Sequence, residues 1–126
     1  MRHREWLSWH ERRLQQRNRG REFFDGLDVV LLPVTLTEAI RHDHSSPFTG
    51  RTIQVDEQQR LYTAQIKWMG LTGVSWLPAT VVPIGQIDSK PVGVQIAGPF
   101  LEDRTTLAAG RFLQQALGGF QRPSEF

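Results

Sequence analysis

The sequence predicts an α/β fold, because short apolar runs bounded by proline or glycine alternate with longer segments of helical periodicity. The apolar runs lie at residues 27–33, 77–83 and 92–98, and the helical segments at residues 3–22, 56–71 and 103–117. A chain of 126 residues supports one domain with one core. We therefore expect residues 1–126 to form a single α/β unit.

Composition narrows the class of protein. Four tryptophans, seven phenylalanines and mixed charge favour a folded chain over a disordered one. The absence of cysteine excludes disulfides, a thiolate nucleophile and cysteine-based metal sites, and it makes a cytoplasmic location the default prediction. No apolar run of about 18 residues occurs, and no signal-like apolar segment follows the charged N-terminus. Neither secretion nor membrane spanning is predicted.

Residues 3–22 predict a helix, since no proline interrupts them and Trp6, His10 and Leu14 recur at helical spacing. Seven arginines fall in residues 1–22, which could form an electrostatic footprint for nucleic acid. The interspersed glutamates and two tryptophans favour a solvated face with a packing stripe instead. Docking of Trp6 and Trp9 on a partner or an anionic membrane is a further alternative, and packing on another part of the protein is preferred to it.

The strand predictions rest on apolar runs closed by proline. Residues 27–33 read as a buried strand, central in a sheet, because the run has no polar face to expose to water. Residues 77–83 and 92–98 read as a hairpin with its turn at Asp88-Ser89.

Two further helices are predicted from capping residues. Asp56 is a candidate N-cap for a helix reaching Leu71, and Asp103 for a last helix that ends before Gly118-Gly119. The predicted inner face of the last helix comprises Leu107, Gly110, Leu113 and Leu117.

Residues 41–51 predict a loop, because they contain two histidines, Asp43, Pro47 and Gly50 without periodicity. A connection of this length often lines a site or contacts another part of a protein. His42-Asp43-His44 carries metal-ligand chemistry, but adjacent residues seldom converge on one ion and no distant partner set is evident. A surface loop is the preferred interpretation, and no metal site is predicted.

Three motifs resemble the amidase signature family in their order and spacing. They are Asp28-Val29-Val30-Leu31-Leu32-Pro33-Val34, then Leu77-Pro78-Ala79-Thr80-Val81-Val82-Pro83-Ile84-Gly85, then Lys90-Pro91-Val92-Gly93-Val94-Gln95-Ile96-Ala97-Gly98. They match the C-terminal third of that family and are most similar to its branch of enantiomer-selective amidases. The resemblance implies the C-terminal part of a mixed sheet with helices on both faces.

The resemblance also implies amide hydrolysis by two serines and a lysine that stand before this region, where a glycine-rich stretch stabilises the oxyanion. Ser45-Ser46 is the only serine pair, and it has no glycine neighbours. Lys67 and Lys90, the only lysines, follow that pair, whereas the family's lysine precedes its serines. No catalytic residue is therefore assigned to this chain, and no cofactor is predicted.

The sequence predicts one kind of functional site, an apolar wall of a substrate pocket. Tyr62, Trp68, Met69 and Trp76 could line an acyl pocket, although core packing is the usual role of such residues. Trp68 is the first choice for substrate binding, because it precedes the Gly70-Leu71-Thr72-Gly73 bend on the predicted helix.

These observations predict the C-terminal portion of an amidase-type hydrolase that lacks the N-terminal catalytic portion and is inactive alone. A complete enzyme would cleave a small carboxamide to carboxylate and ammonia, and its N-terminal half would be a separately encoded partner. No nucleic-acid or membrane partner is predicted. The alternative is a noncatalytic accessory or binding module that retains the same C-terminal layer.

Overall fold

The computed structural model describes residues 1–44 and 47–122. Three α-helices and five strands are present in this part of the chain. They are α1 (His3–Phe23), β1 (Val30–Pro33), β2 (Thr52–Val55), β3 (Gln58–Leu61), α2 (Lys67–Ser75), β4 (Ala79–Ile87), β5 (Lys90–Ala97) and α3 (Asp103–Leu117). Two short 3₁₀ segments, Phe48–Gly50 and Tyr62–Ile66, flank β2 and β3. The α/β class and the helices predicted at both ends of the chain are confirmed.

The main sheet has the order β1-β5-β4, with both pairs antiparallel. The prediction that residues 27–33 form a central strand is wrong within the described residues: β5 is central, and β1 pairs with β5 alone. The hairpin of β4 and β5 is confirmed. Asp88 and Ser89 have φ values of 49° and 62°, so both turn residues are left-handed, as a two-residue hairpin matching the strand twist requires.

Helix α3 packs on one face of the sheet, over β4 and β5. Ile96 is fully buried and Thr106 is 1% exposed, and the hydroxyl of Thr80 donates a 3.0 Å hydrogen bond to the Thr106 hydroxyl. Gly110 allows the close approach, because a Cβ there would lie 3.2 Å from methyl groups of Thr80 and Val82. This layer is the best-packed part of the molecule.

The predicted inner face of α3 is partly wrong. Gly110 is buried and Leu113 half-buried, but Leu107 and Leu117 are 52% and 48% exposed. Thr106 takes the innermost place, since its hydroxyl bonds both Thr80 and the carbonyl of Asp103. Asp103 is the first helical residue and not the N-cap, which is Glu102. The predicted end is confirmed, because Gly118 closes the helix with φ 87°.

Helices α1 and α2 cover the opposite face of β1 and β5. Side chains of Leu71, Thr72 and Leu77 enclose with Val30 and Ala97 an apolar cavity of about 280 Å³ beside α1. Gln95, which is 3% exposed, donates to the carbonyl of Trp68 at 3.4 Å and ties α2 to the sheet. The implied helices on both faces are therefore present.

The prediction of a helix from Asp56 is wrong, because residues 52–61 form a second hairpin. Ile53 and Val55 are buried while their neighbours in β2 are exposed, which is the period of a strand. Asp56 has φ 52° and lies in the turn between β2 and β3, so it cannot cap a helix. Helix α2 begins only at Lys67.

Candidate functional site

The candidate site lies where the connection after β1 meets the segment that enters α2. We call residues 34–39 the β1 loop. The side-chain amide of Gln65 holds this loop at two points: its oxygen accepts the backbone N–H of Leu36 at 2.8 Å, and its nitrogen donates to the Thr37 hydroxyl at 3.2 Å. One side chain thus fixes the loop to the 3₁₀ segment that precedes Trp68.

A second anchor joins the β1 loop to the hairpin. Lys90 Nζ lies 3.1 Å from Glu38 Oε1, and both side chains are about two-fifths exposed. The hydrogen bond from Lys90 lowers the pKa of the Glu38 carboxyl below its ordinary value, and the lysine charge adds to the effect. The loop is therefore fastened at its middle by Gln65 and at its end by Lys90.

Between these anchors the β1 loop borders an open groove of about 430 Å³. Its walls combine the side chains of Val34 and Val81 with Gly93, where an added Cβ would lie 3.1 Å from the Val82 carbonyl. Thr35 and Thr37 add hydroxyl groups to the rim, and both donate to backbone carbonyls of the loop itself. Apolar walls with a few polar groups suit a small organic substrate.

The predicted site residue Trp68 lies in the first turn of α2 and is half-buried. It follows Gln65 by three residues, and its carbonyl is held by Gln95. Its role as a substrate wall stays a prediction.

The other three aromatic or sulfur-containing candidates do not gather around Trp68. Tyr62 contacts Phe48 edge to face at 5.2 Å, Met69 is 55% exposed, and Trp76 packs against α1. They therefore do not form one wall in the described chain.

The predicted loop contains a second groove, of about 470 Å³, bordered by residues 40–44, residues 51–54 and Tyr62. The rings of His42 and His44 meet edge to face with centroids 5.9 Å apart. Within residues 1–44 and 47–122, no three histidine, aspartate or glutamate side chains are grouped to hold a metal ion. Ser45-Ser46, interpreted above as noncatalytic, lies outside the described residues.

The serine chemistry that the amidase-signature resemblance implies requires a serine hydroxyl beside a base. The described serines are Ser8 in α1, Ser75 at the end of α2, and Ser89 in the hairpin turn. Among these described residues no serine hydroxyl hydrogen-bonds a lysine, and Lys90 is paired with Glu38. The groove at the β1 loop can therefore hold a substrate group, but the described residues do not provide a serine–lysine pair to attack it.

A cationic and aromatic seam attaches α1 to the rest of the chain, and sequence reasoning missed it. The guanidinium carbons of Arg13 and Arg17 lie 4.1 Å and 5.4 Å from the centroid of Trp76, and that of Arg17 lies 4.6 Å from Phe100. Helix α1 has no buried residue.

No helix in the described ranges combines the length and apolar character that crossing a bilayer needs.

Comparison with known proteins gives a consistent result. The sequence model of the family described as Amidase matches residues 1–107. An indoleacetamide hydrolase of Bradyrhizobium japonicum is 34% identical over 97 residues, which are 75% of this chain and 19% of that protein. A glutamyl-tRNA(Gln) amidotransferase subunit from Rubrobacter xylanophilus is 33% identical over 98 residues, covering 78% of this chain and 18% of its own length.

A solved structure gives the same fold. A crystal structure of an amidase superposes with a TM-score of 0.78 over 94% of this chain and 26% of its own, at 23% sequence identity. The chain thus spans about a fifth of the curated relatives it matches and about a quarter of that structure.

Proposed function

The chain belongs to the amidase family, and from this premise we propose that it forms the C-terminal part of an amide hydrolase. Complete with an N-terminal part, the enzyme would cleave a small carboxamide to carboxylate and ammonia. The observation that carries the proposal is the family match over residues 1–107 in a chain that spans 19% of an indoleacetamide hydrolase. A cytoplasmic location belongs to the same proposal.

The proposal divides the work of catalysis between the two parts. Amide hydrolysis needs an activated nucleophile and donors for the developing oxyanion. We assign the serine pair, the lysine and the oxyanion donors to the N-terminal part, which the amidase-signature resemblance implies. This chain contributes the groove bordered by the β1 loop, Val81 and Gly93. Loss of the nucleophile alone typically costs about a millionfold in turnover, so the chain by itself is inactive.

Trp68 is the substrate-binding residue of this proposal. It is half-buried in the first turn of α2, three residues after the Gln65 anchor, and its backbone carbonyl accepts a hydrogen bond from Gln95. A wall of this kind acts on binding more than on chemistry. Trp68→Leu in the assembled enzyme should therefore raise KM for aromatic amides about tenfold while kcat stays within about threefold.

The test is complementation. The N-terminal part of the Bradyrhizobium japonicum indoleacetamide hydrolase, ending where its match to this chain begins, would be coexpressed with residues 1–126. Ammonia release would be followed over a panel of small amides. We expect hydrolysis by the pair and none by either part alone. The control is the same pair with alanine at the serine that the resemblance implies as nucleophile. A soluble complex that hydrolyses no amide would overturn the proposal.

The alternative function is a noncatalytic binding module that keeps this layer. The closed packing of α3 on β4 and β5, with Ile96 fully buried, favours it, because such a core can fold without a partner. Urea unfolding followed by tryptophan fluorescence and far-ultraviolet circular dichroism separates the two functions. Coincident steep transitions favour the module, and shallow or separate transitions favour the incomplete enzyme.

A further inference from the structure

A groove beside α1 has a composition that neither the fold nor the proposed reaction explains. It measures about 420 Å³ and is bordered by Trp6, Trp9, His10, Arg12, Arg13, Gln16 and Val74. The two indoles are 43% and 60% exposed. The Trp6 ring stacks with His3 and His10, with centroids 6.0 Å and 5.0 Å apart, so Trp9 offers the open aromatic surface of the groove. The lining therefore combines this surface with two guanidinium groups, an imidazole and one side-chain amide.

The charge of this groove is of one sign. None of its described lining residues is acidic. The two nearest glutamates along α1 are engaged elsewhere: Glu5 accepts the backbone N–H of Arg2 at 2.8 Å, and Glu11 accepts from Gln15 at 3.5 Å. The arginine charges are thus not neutralised by a carboxylate of the groove, which makes it complementary to an anion.

Both arginines also make contacts within the chain before any ligand arrives. Arg12 lies over Trp9 at 4.8 Å, and Arg13 lies over Trp76 at 4.1 Å while its Nη2 is 3.1 Å from His10 Nδ1. The Nε of Arg13 is buried without a hydrogen-bond partner. A buried, unpaired donor costs free energy until an acceptor reaches it. A guanidinium offers two parallel N–H groups to a carboxylate.

We propose that this groove, called here the α1 groove, binds a small planar aromatic carboxylate. Its carboxylate lies between Arg12 and Arg13, a small turn of the Arg13 side chain brings Nε–H to it, and its ring packs on the exposed indole of Trp9. The site is separate from the β1 loop, so the proposal does not depend on the proposed hydrolase function.

The test is isothermal titration calorimetry of the full chain with 2-naphthoate. Three controls share part of the ligand's chemistry: 2-naphthylmethanol keeps the ring without the charge, cyclohexanecarboxylate keeps the charge without the flat ring, and acetate keeps only the carboxylate. We expect saturable binding of 2-naphthoate at millimolar concentration or below, and no saturable binding of the three controls. No heat of binding up to about 10 mM, or equal binding of the uncharged alcohol, would overturn the proposal.

Variants locate the site. Arg12→Gln should weaken 2-naphthoate about tenfold, because a charge-assisted contact is lost while the seam of Arg13 on Trp76 stays intact. Arg13→Gln should weaken it at least as much, with circular dichroism checking that α1 remains helical. Arg104→Gln, an exposed arginine at the start of α3, should bind as the unchanged chain does. Unchanged affinity in Arg12→Gln, or an equal loss in Arg104→Gln, would contradict the assignment.

Discussion

The two faces of the main sheet are built differently. Under α3, Thr80, Val82 and Ile96 pack into a closed layer in which Ile96 is fully buried. On the other face, α1 and α2 cover β1 and β5 but not β4, and Val81 is 54% exposed although it is the neighbour of Val82 in the same strand. On the face that α3 covers, Leu31 of β1 remains uncovered and is 53% exposed.

This difference explains why β4 has apolar residues on both of its faces instead of alternating apolar and polar residues. Such a run is typical of a strand covered on both faces, and β4 carries Ala79, Thr80, Val81 and Val82 in succession. The described chain covers one side of that run. The uncovered side, together with the free edge of β1, is the surface where we expect the N-terminal part of an amidase to pack.

The largest expected effect comes from the closed layer. Ile96→Ala removes buried methyl groups between α3 and the sheet and should lower the free energy of unfolding by about 2–5 kcal/mol. Val81→Ala removes methyl groups from the uncovered side and should change it by less than about 0.5 kcal/mol. Hydrogen exchange of the α3 and β5 amides, which reports the free energy of opening this layer, measures both. Similar losses in the two variants would remove the contrast between the faces.

The same substitution at two glycines should have opposite signs. Gly98→Ala places a Cβ 2.7 Å from Cγ2 of Thr106, which is 1% exposed and has no room to move, so the free energy of unfolding should fall by about 1–3 kcal/mol. Gly70→Ala in α2 meets no atom within 4 Å and should raise it by about 0.5–1 kcal/mol. Thermal unfolding would check the pair, and a gain in Gly98→Ala would contradict the packing.

The attachment of α1 predicts a local effect. Trp76 has φ 54°, a left-handed position that costs a non-glycine residue about 1 kcal/mol. Trp76→Gly relieves that cost but removes the ring under Arg13 and Arg17, contacts of about 0.5–1 kcal/mol each. Global stability should change little, while α1 amides exchange faster in hydrogen exchange and α3 amides do not. Trp9→Ala, which removes a ring outside this seam, is the control and should leave α1 protection unchanged.

The smallest effect concerns the ion pair of the β1 loop. Because Lys90 lowers the pKa of Glu38 in the folded chain, the pair contributes stability above the ordinary carboxyl pKa, and that stability is lost as pH falls through the lowered value. A carbon-detected titration of the Glu38 carboxyl should show the low pKa, and Lys90→Met should raise it toward the ordinary range. An unchanged titration in Lys90→Met would show that another group sets it.

The sequence was sufficient where one local rule decided the structure. The absence of proline from residues 3–22, the Asp88-Ser89 turn and Gly118 each predicted an element that the structure contains. It was insufficient where two rules competed. Asp56 suits both a helix cap and a left-handed turn, and the alternation of Ile53 and Val55 decides for the turn.

The candidate site was less predictable than the fold. The position of Trp68 before a glycine-containing bend predicts it as a site residue, but the anchoring by Gln65 and Gln95 joins residues far apart in the chain. The stacking of Arg13 and Arg17 on Trp76 likewise depends on tertiary contact, and no spacing in residues 1–22 indicates it.

The central claim is that the uncovered side of the sheet is the contact surface for an N-terminal amidase part. The most direct measurement is hydrogen exchange by mass spectrometry, on the chain alone and on the chain copurified with the N-terminal part used for complementation. We predict that amides of β1 and β4 gain protection on assembly, while those of α3 and β5 are protected in both samples. A complex that hydrolyses amides but leaves β1 and β4 exchanging as in the free chain would contradict the claim.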